Sequence, residues 1–406
     1  MTDTVVSPNR RLDLDWIRIG AFMLLILYHV GMFYVTWDWH VKSPYASHAV
    51  EPLMFVTSPW RLTLLFLVSG AATAFMAAKM NAGRFTWSRL GRLVPPLLLG
   101  MFVIVPPQSW YEILEAAPQL HEPYLAFFAK YATASGNWCD PATGECLITP
   151  TWNHLWFVAY LIVYTLVIGL FLAVGRRGLD AAGAFLERAL SGWGLLVWPV
   201  VALALMRLFL MPLFEVTHAL VDDWYNHAVS FSAFLLGFLM ARRERFWEGL
   251  SRHRWLALVL WLAAWAAFSS YYWIYKADDA VPPDGLREVM RVVHAVQTWC
   301  AIAAILGFGR LWLTMDGPVR RYLTDAIFPF YIVHQTLIVV LAHHLAKAGL
   351  PLAVEVPLLI GLTFAGCLAT YEIVRRVGFL RPWFGLKSRP VGRAAAPAGD
   401  PLTETA

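Results

Sequence analysis

The sequence predicts an all-α polytopic membrane protein of about ten transmembrane helices, with both termini in the cytoplasm. Three observations carry this prediction. The chain of 406 residues is 59% hydrophobic and only 15% charged, which is more apolar surface than one aqueous core can bury. Apolar windows of roughly 20 residues, the length that crosses a bilayer, recur along the whole chain. Lysine and arginine concentrate in every second connection between these windows.

The apolar windows are separated by shorter polar connections. They cover residues 14–36, 55–78, 93–111, 152–174, 192–213, 228–241, 255–275, 289–312, 324–346 and 353–376. The sixth window, 228–241, is short and gives the weakest transmembrane signal. The polar start of the chain does not resemble a cleavable signal peptide, so we expect the first window to remain in the membrane.

The distribution of basic residues tests the number of windows independently, because Lys and Arg gather in cytoplasmic loops. With ten spans, 24 of the 32 Lys and Arg residues fall on the side that holds the N-terminus. The loops on the other side are rich in Trp and Tyr, and they carry the acidic residues Glu112, Glu115, Glu122, Asp140, Glu145, Asp222, Asp223, Asp278, Asp279 and Asp284. The pI near 9.0 therefore reflects topology, and we expect no nucleic-acid partner.

The predicted domain organisation is simple. Residues 1–11 form a cytoplasmic tail, residues 12–386 form one transmembrane domain, and residues 387–406 form a Pro/Ala-rich tail that we expect to be disordered. The chain contains no repeat, phosphate-binding glycine loop or soluble catalytic module. The transmembrane domain must therefore hold the whole function.

Two of the four cysteines lie in one outward loop, as Cys139 and Cys146. In an oxidising compartment this pair could close a small disulfide ring, or both could remain free thiols. A metal site fits less well, because the spacing is unusual for zinc and no histidine pair lies beside it.

The first window contains two ionisable residues that share one helical face. Arg18 and His29 are eleven residues apart, which corresponds to about 20° past three full turns and a rise of about 16 Å. Arg18 is placed near the cytoplasmic mouth and His29 deep in the bilayer. The structural alternative is that Arg18 anchors the helix and His29 only packs against its neighbours.

Other windows add polar residues at several depths. Arg61 is placed in the outer third of its span, Ser69 near mid-depth, His154 near the outer face, His334 about midway and Glu372 in the cytoplasmic third. Each has a structural explanation of its own, such as snorkelling, helix packing or interfacial hydration. Together they predict a polar cavity that runs between the two faces.

These residues resemble a known family. The segment LDLDWIRIGAFMLLILYH resembles the first helix of the acyltransferase-3 family of integral membrane acyltransferases, in which a basic residue and a histidine are separated by ten residues, here Arg18 and His29. FLVSG at 66–70 is similar to the second-helix motif of that family. RFTWSRLGRLVPPL, with Arg89 and Arg92, is similar to its basic cytoplasmic loop and the proline that follows.

The resemblance extends from about residue 12 to 386 and favours one branch of the family, which adds succinyl groups to periplasmic glucans. The shared stretches are WHVKS at 39–43, HLWF at 154–157, FYIVH ending at His334 and YEI at 371–373. The chain departs from the O-antigen branch, which has a different motif where HLWFVAY stands here.

The resemblance implies an enzyme of the bacterial inner membrane that moves an acyl group from cytoplasmic acyl-CoA, either succinyl-CoA or acetyl-CoA, to a hydroxyl of a periplasmic or surface glucan. CoA is then a substrate, and no permanently bound cofactor is expected. His29 would act as general base or as covalent acyl carrier. Arg18, with Arg89, Arg92 and Ser69, would hold the donor.

The remaining polar residues are candidates for substrate binding: Arg61, His154, His334 and Glu372. Arg61 or Arg207 could pair with a succinyl carboxylate or with an anionic acceptor, and Glu372 could instead be a structural ion pair with Arg375 and Arg376. The alternative function is a transporter or flippase for a sugar-containing or anionic substrate. The absence of an internal repeat in the sequence argues against it.

Overall fold

The computed structural model describes residues 11–139, 144, 146–277 and 280–388, and the regular structure among these residues is helical. The α-helices are α1 Leu12–Tyr34, α2 Glu51–Thr57, α3 Arg61–Ala77, α4 Ala82–Leu99, α5 Pro106–Ala116, α6 Tyr124–Ala132, α7 Trp156–Val174, α8 Arg176–Ala189, α9 Gly194–Phe209, α10 Trp224–Met240, α11 Glu244–Ile274, α12 Asp284–Trp312, α13 Pro318–Lys347 and α14 Leu352–Arg376. Most of both predicted tails, and the acidic residues Asp140, Glu145, Asp278 and Asp279, lie outside the described residues.

The helices confirm a multi-pass, all-α membrane protein. Among the described residues, eight helical segments are long and apolar enough to cross a membrane, or nine if the bent pair α8 and α9 counts as one span. Every predicted window coincides with a helix. The sixth window falls in α10, whose 17 residues rise about 25 Å, less than the roughly 30 Å hydrocarbon core.

Two predicted spans are interrupted, and both interruptions coincide with proline. The second span breaks at residues 58–60, around Pro59, so Arg61 becomes the first residue of α3. The third span contains Pro95 and Pro96, and a π-helical segment, Gly100–Ile104, joins α4 to α5. Proline removes a backbone donor and clashes with the preceding turn, which accounts for breaks at these positions.

The segment that the resemblance presents as a basic cytoplasmic loop is helical instead. Helix α4 begins at Ala82, where the Asn81 side chain caps the helix by accepting a hydrogen bond of 2.8 Å from the backbone N–H of Arg84. An asparagine cap followed by amphipathic spacing is sufficient to start a helix before the apolar window. Arg89 and Arg92 therefore project from a rigid helix.

Helix α1 lies at the centre of the bundle, packed against α3, α12 and α13. In the most apolar window of α13, 72% of the residues are buried, compared with 11% for α11. The central helices therefore carry the residues that water and lipid reach least, and α11 faces the surroundings.

Helices α1 and α13 run parallel and in constant register. Near their beginnings, Asp15 Oδ2 lies 2.6 Å from Arg320 Nη1. Deeper in the bundle, His29 Nδ1 lies 2.7 Å from His334 Nε2. Both pairs join residues 305 positions apart, so the same alignment holds over 14 residues of each helix, which corresponds to about 21 Å.

The two ends of the bundle differ in charge. We call the end with Asp15, Arg320 and Glu372 the basic face, because arginines surround these residues. The start of α1 and the end of α14 both lie there, since Asp15 meets Arg320 and Tyr322 OH donates to Glu372 Oε1 at 2.6 Å. Nearby, the Arg321 and Arg320 guanidiniums hold the pKa of Asp316 well below its usual range. The other end is called the opposite face.

The opposite face carries the long loop between α5 and α7. Cys139 and Cys146 form a disulfide there, which decides the alternative that the sequence leaves open. Tyr131 of α6 donates to the backbone oxygens of Met101 and Thr151, each at 3.0 Å. Burial raises the pKa of Tyr131 to about 12. These contacts tie the loop to the membrane helices.

Lys42 caps the end of α1 at the opposite face. Its ammonium donates to the backbone oxygens of Met32 at 3.0 Å, Val35 at 3.1 Å and Trp37. Carbonyl groups at a helix C-terminus have no partner within the helix, so a cation there is favourable. Burial lowers the pKa of Lys42. The cap fixes the end of the helix that carries His29.

Candidate active site

A cavity at the basic face is lined by the residues predicted to hold the donor. Its volume is ≈ 230 Å³, and Arg18, Ser69, Arg89 and Arg92 all lie in its wall. They come from three helices, α1, α3 and α4. Arg18 donates to the backbone oxygen of Thr324, with Nη2 and O separated by 3.4 Å. We call this space the basic cavity.

The charge of the basic cavity favours a polyanion. Three guanidiniums share its wall, whereas Asp325 is the acid that lines it. Within the described part of the chain, Arg89 Nε is buried and has no hydrogen-bond partner. Guanidinium groups bind phosphate with paired, charge-assisted hydrogen bonds. The cavity therefore has the chemistry of a phosphate site.

Three aromatic rings close the inner end of the basic cavity. The centroids of Phe22 and Tyr331 are 5.2 Å apart, those of Phe22 and Phe157 are 6.2 Å apart, and those of Phe157 and Tyr331 are 6.0 Å apart. Phe22 and Phe157 also line the cavity. Phe22 lies between Arg18 and His29 along α1. We call these three rings the aromatic layer.

Beyond the aromatic layer lies the His29–His334 pair. The two imidazoles stack with centroids 5.0 Å apart and planes 15° from parallel. His334 is fully buried, and its Nδ1 lies 2.7 Å from the backbone oxygen of Tyr331. A carbonyl only accepts, so Nδ1 of His334 carries the hydrogen, and Nε2 of the neutral ring is an acceptor.

This arrangement fixes the protonation pattern of His29. Because His334 Nε2 accepts, His29 Nδ1 donates to it across 2.7 Å, and the lone pair of neutral His29 is then on Nε2. Among the described residues, none makes a hydrogen bond to His29 Nε2, and the side chain is half-buried. His334 thus orients His29 with a basic nitrogen available, as the second member of a catalytic dyad does.

His154 completes a group of three histidines. Its ring meets that of His334 edge to face, with centroids 5.1 Å apart and planes at 87°. His154 Nε2 donates to the backbone oxygen of Ile332 at 3.0 Å, and Nδ1 accepts from Gln108 Nε2 at 3.4 Å. Both nitrogens of His154 are therefore engaged in hydrogen bonds. Within this group of three, His29 is the histidine whose Nε2 lone pair has no partner among the described residues.

A polar network that the sequence analysis missed joins these histidines to the opposite face. Gln108 Oε1 accepts from Gln335 Nε2 at 3.1 Å, and Gln335 Nε2 also donates to His40 Nε2 at 2.8 Å. His40 Nδ1 in turn donates to Glu112 Oε2 at 2.7 Å. Gln108 and Gln335 both lie within apolar windows of the sequence, which is the signal that could have indicated this network.

Arg61 lies beside His29 without a counter-ion in the described structure. Its side chain is 6% exposed, and its guanidinium carbon lies 3.2 Å from the centre of the Tyr28 ring. Among the described residues, neither Nε nor Nη1 finds a hydrogen-bond partner. Arg207, the other candidate, donates instead to Tyr225 OH at 3.0 Å.

Two further sequence candidates have structural contacts. Glu372 forms ion pairs with Arg375 at 3.2 Å and Arg376 at 2.7 Å, which is the alternative left open for it, and it lies at the basic face. Gly70 of the FLVSG motif packs against the backbone of α10 at Phe234, where a Cβ would overlap. Ser69 faces the basic cavity, so the two residues of this motif serve packing and cavity separately.

Comparisons of the sequence with known proteins identify the family. The sequence profile of a family described as an acyltransferase domain matches residues 11–372. Glucans biosynthesis protein C of Salmonella heidelberg (strain SL476) is 24% identical over 340 residues, covering 82% of this chain and 83% of that protein. The protein of the same name from Salmonella paratyphi B is 27% identical over 175 residues, or 42% of each chain.

No solved structure matches the chain significantly. The family profile, in contrast, covers the helices that build the basic cavity, the aromatic layer and the histidine group. The chain therefore belongs to the acyltransferase-3 family and is a multi-pass membrane acyltransferase.

Proposed function

We propose that the protein transfers an acyl group, succinyl or acetyl, from acyl-CoA at the basic face to a hydroxyl of a glucan or related polysaccharide at the opposite face. The basic face is cytoplasmic in this proposal, and the membrane is the bacterial inner membrane. The observation that carries the proposal is the His29–His334 pair, which leaves a lone pair on His29 Nε2. Arg18, on the same helix as His29, lines the basic cavity.

The donor side is argued from charge and depth. CoA carries several phosphates and a long, uncharged pantetheine arm, and the basic cavity presents Arg18, Arg89 and Arg92. Phosphates held there would leave the arm pointing along α1 toward His29, about 16 Å deeper. The arm must part the aromatic layer to deliver the thioester. The nucleotide itself then never crosses the membrane.

In the proposed reaction, His29 Nε2 is the base that accepts the proton of the acceptor hydroxyl. The acceptor hydroxyl gives its proton to His29 Nε2 while its oxygen attacks the thioester carbonyl carbon. The carbon–oxygen bond forms, the carbon–sulfur bond breaks, and the proton on Nε2 passes to the leaving thiolate. His334 accepts a hydrogen bond from Nδ1 throughout and stabilises the imidazolium that forms transiently. The same lone pair would serve if the acyl group were first carried on Nε2.

The acceptor is argued from the relatives and from the opposite face. The relatives are named for glucan biosynthesis, and a glucan offers many weakly acidic hydroxyls. The polar network of Gln335, His40 and Glu112 extends from the histidines to that face. His40 and Glu112 are both partly exposed, so a sugar can approach the network from outside.

The decisive experiment uses the purified protein in liposomes. CoA carrying a radiolabelled acyl group is supplied on one side, and glucose oligosaccharides are supplied on the other. Label that becomes covalently attached to the oligosaccharide supports the proposal. Oligosaccharide that crosses the membrane unmodified would instead support the transporter alternative. Rapid acid quenching without acceptor separates the two mechanisms, because only the acyl-histidine route leaves label on the protein.

A further inference from the structure

We infer that Arg61 is a specificity-determining residue, a buried anion subsite beside His29 that selects acyl groups ending in a carboxylate. This inference rests on the proposed function and decides between the two acyl groups named there. Two buried nitrogens of Arg61, Nε and Nη1, have no hydrogen-bond partner among the described residues, whereas each other arginine there has at most one such nitrogen.

Burial of the Arg61 guanidinium is costly without a counter-ion. A guanidinium removed from water is unfavourable unless charges or acceptors replace the water. Arg61 is 6% exposed, and two of its three nitrogens, Nε and Nη1, have no partner among the described residues. The Tyr28 ring under its carbon compensates in part, through a cation–π contact. The described residues supply no counter-ion to Arg61, so its guanidinium is available to bind an anionic group of a substrate.

The distance between Arg61 and His29 can be spanned by a single acyl group. Tyr28 links the two groups: its ring centroid lies 3.2 Å from the Arg61 guanidinium carbon and 6.0 Å from the centroid of His29. The distance from the Arg61 guanidinium carbon to the centroid of the His29 ring therefore cannot exceed the sum of these two distances. A four-carbon dicarboxylic acyl group spans roughly three carbon–carbon bonds of about 1.5 Å from carbonyl to carboxylate. With contacts of about 3 Å at each end, it fits between His29 and Arg61.

The anion that pairs with Arg61 belongs to the acyl chain and not to the polysaccharide. A polysaccharide is bulky and must stay near the open face, whereas the small exposure of Arg61 admits only a slender group. The acyl chain is such a group, and it must already be at His29 when transfer occurs. Neither an acetyl group nor a neutral four-carbon chain carries an anion, so both would leave the guanidinium unpaired. A carboxylate at the far end of the chain satisfies both requirements.

The test compares two donors of equal length. Succinyl-CoA and butyryl-CoA both carry four-carbon chains, and only the first ends in a carboxylate. We measure kcat/KM for each with neutral glucose oligosaccharides as acceptor, so that acceptor charge plays no part. In Arg61→Gln the ratio of succinyl to butyryl transfer should fall at least about tenfold, as expected when a charge-assisted hydrogen bond is lost. Arg61→Lys should restore part of the ratio.

Arg207→Gln is the matched control, because Arg207 is also a partly buried arginine on a membrane helix but bonds to Tyr225; it should leave the ratio unchanged. Equal losses with both donors in Arg61→Gln would overturn the inference and assign Arg61 to the acceptor or the reacting carbonyl. A wild-type protein that uses both donors equally well overturns it without any variant. Labelling from acetyl-CoA alone also overturns the inference but leaves the proposed function standing, whereas no labelling from succinyl-CoA, butyryl-CoA or acetyl-CoA means that the proposed function itself fails.

Discussion

At the scale of single residues, His29 differs from the other two histidines of its group, because its Nε2 has no hydrogen-bond partner among the described residues. His334 is occupied at both nitrogens, by Tyr331 and His29, and His154 by Ile332 and Gln108. A histidine whose two nitrogens are engaged orients its neighbours, whereas one with an available lone pair can accept a proton. In the proposed mechanism, His29 is therefore the reactive histidine, and His334 and His154 support it.

His29→Ala should reduce acyl transfer by orders of magnitude, because the base or acyl carrier is lost. The thermal midpoint in detergent should fall only modestly, because one buried acceptor, His334 Nε2, loses its partner, at a cost of about 1–3 kcal/mol. His343→Ala is the matched control: His343 is also buried and bonds to Glu115 at 2.6 Å, but it lies outside the group around His29. A well-folded His29→Ala protein that transfers at nearly the wild-type rate would refute the mechanism.

Arg18→Ala should raise the KM for acyl-CoA, with a smaller effect on kcat, because a phosphate contact far from the reacting carbon acts mainly on binding. Arg18→Lys should recover only part of the affinity, since an ammonium lacks the planar fork of the guanidinium. Arg84→Ala serves as control, because Arg84 is an exposed arginine of α4 outside the basic cavity. Equal KM changes in Arg18→Ala and Arg84→Ala would mean that only the general positive field matters.

The sequence predicted the site unevenly, for physical reasons. Arg18 and His29 share one helix, so their common face follows from periodicity alone. The grouping of Ser69, Arg89 and Arg92 required the family resemblance, because it depends on how three helices pack. The contacts of His40 and Gln335 join residues 295 positions apart, and no local pattern encodes such a pairing.

At the scale of elements, the parallel register of α1 and α13 decides whether His29 meets His334. Arg320 holds this register from the basic face, because it is 1% exposed and pairs with both Asp15 and Asp316. A slip of one residue between these helices would rotate side chains by about 100° and separate the histidines. The ion pair and the histidine pair therefore depend on each other although they lie about 21 Å apart.

Arg320→Ala should lower the free energy of unfolding by about 3 kcal/mol, the cost typical of removing one member of a buried ion pair. Transfer activity should fall with it, although Arg320 is distant from His29. Arg321→Ala is the control, because Arg321 pairs with the same Asp316 from a position that is 50% exposed, where ion pairs contribute little. Thermal unfolding in detergent, combined with activity per folded molecule, would show whether the register argument fails.

At the scale of the whole molecule, hydropathy located every membrane helix but not the interruptions within them. The breaks near Pro59 and Gly100 move Arg61 and Gln108 to helix ends, and they depend on how neighbouring helices satisfy the freed backbone groups. The bend of 111° between α8 and α9 likewise depends on how these helices pack against their neighbours. Window-averaged hydropathy contains no information of this kind.

The orientation of the molecule in the cell can be tested with single cysteines. Ser135→Cys, in the loop at the opposite face, should react with a membrane-impermeant thiol reagent applied to intact cells. Glu248→Cys, in the first turns of α11 at the basic face, should react only after the membrane is permeabilised. The native thiols Cys300 and Cys367 are buried and give the background. Reversed labelling would exchange the donor and acceptor sides of the proposal.

The aromatic layer also lies between the basic cavity and the histidine network. A bacterial inner membrane stores energy as a proton gradient, and an unbroken row of water, imidazoles and amides across it would dissipate that gradient. The basic cavity lies on one side of Phe22, Phe157 and Tyr331, whereas the histidines and their polar network lie on the other. Rings packed this closely leave little room for a continuous row of water, yet they can turn aside for a slender acyl chain. In the proposed inner-membrane location, acyl transfer past this layer would therefore leave the proton gradient intact.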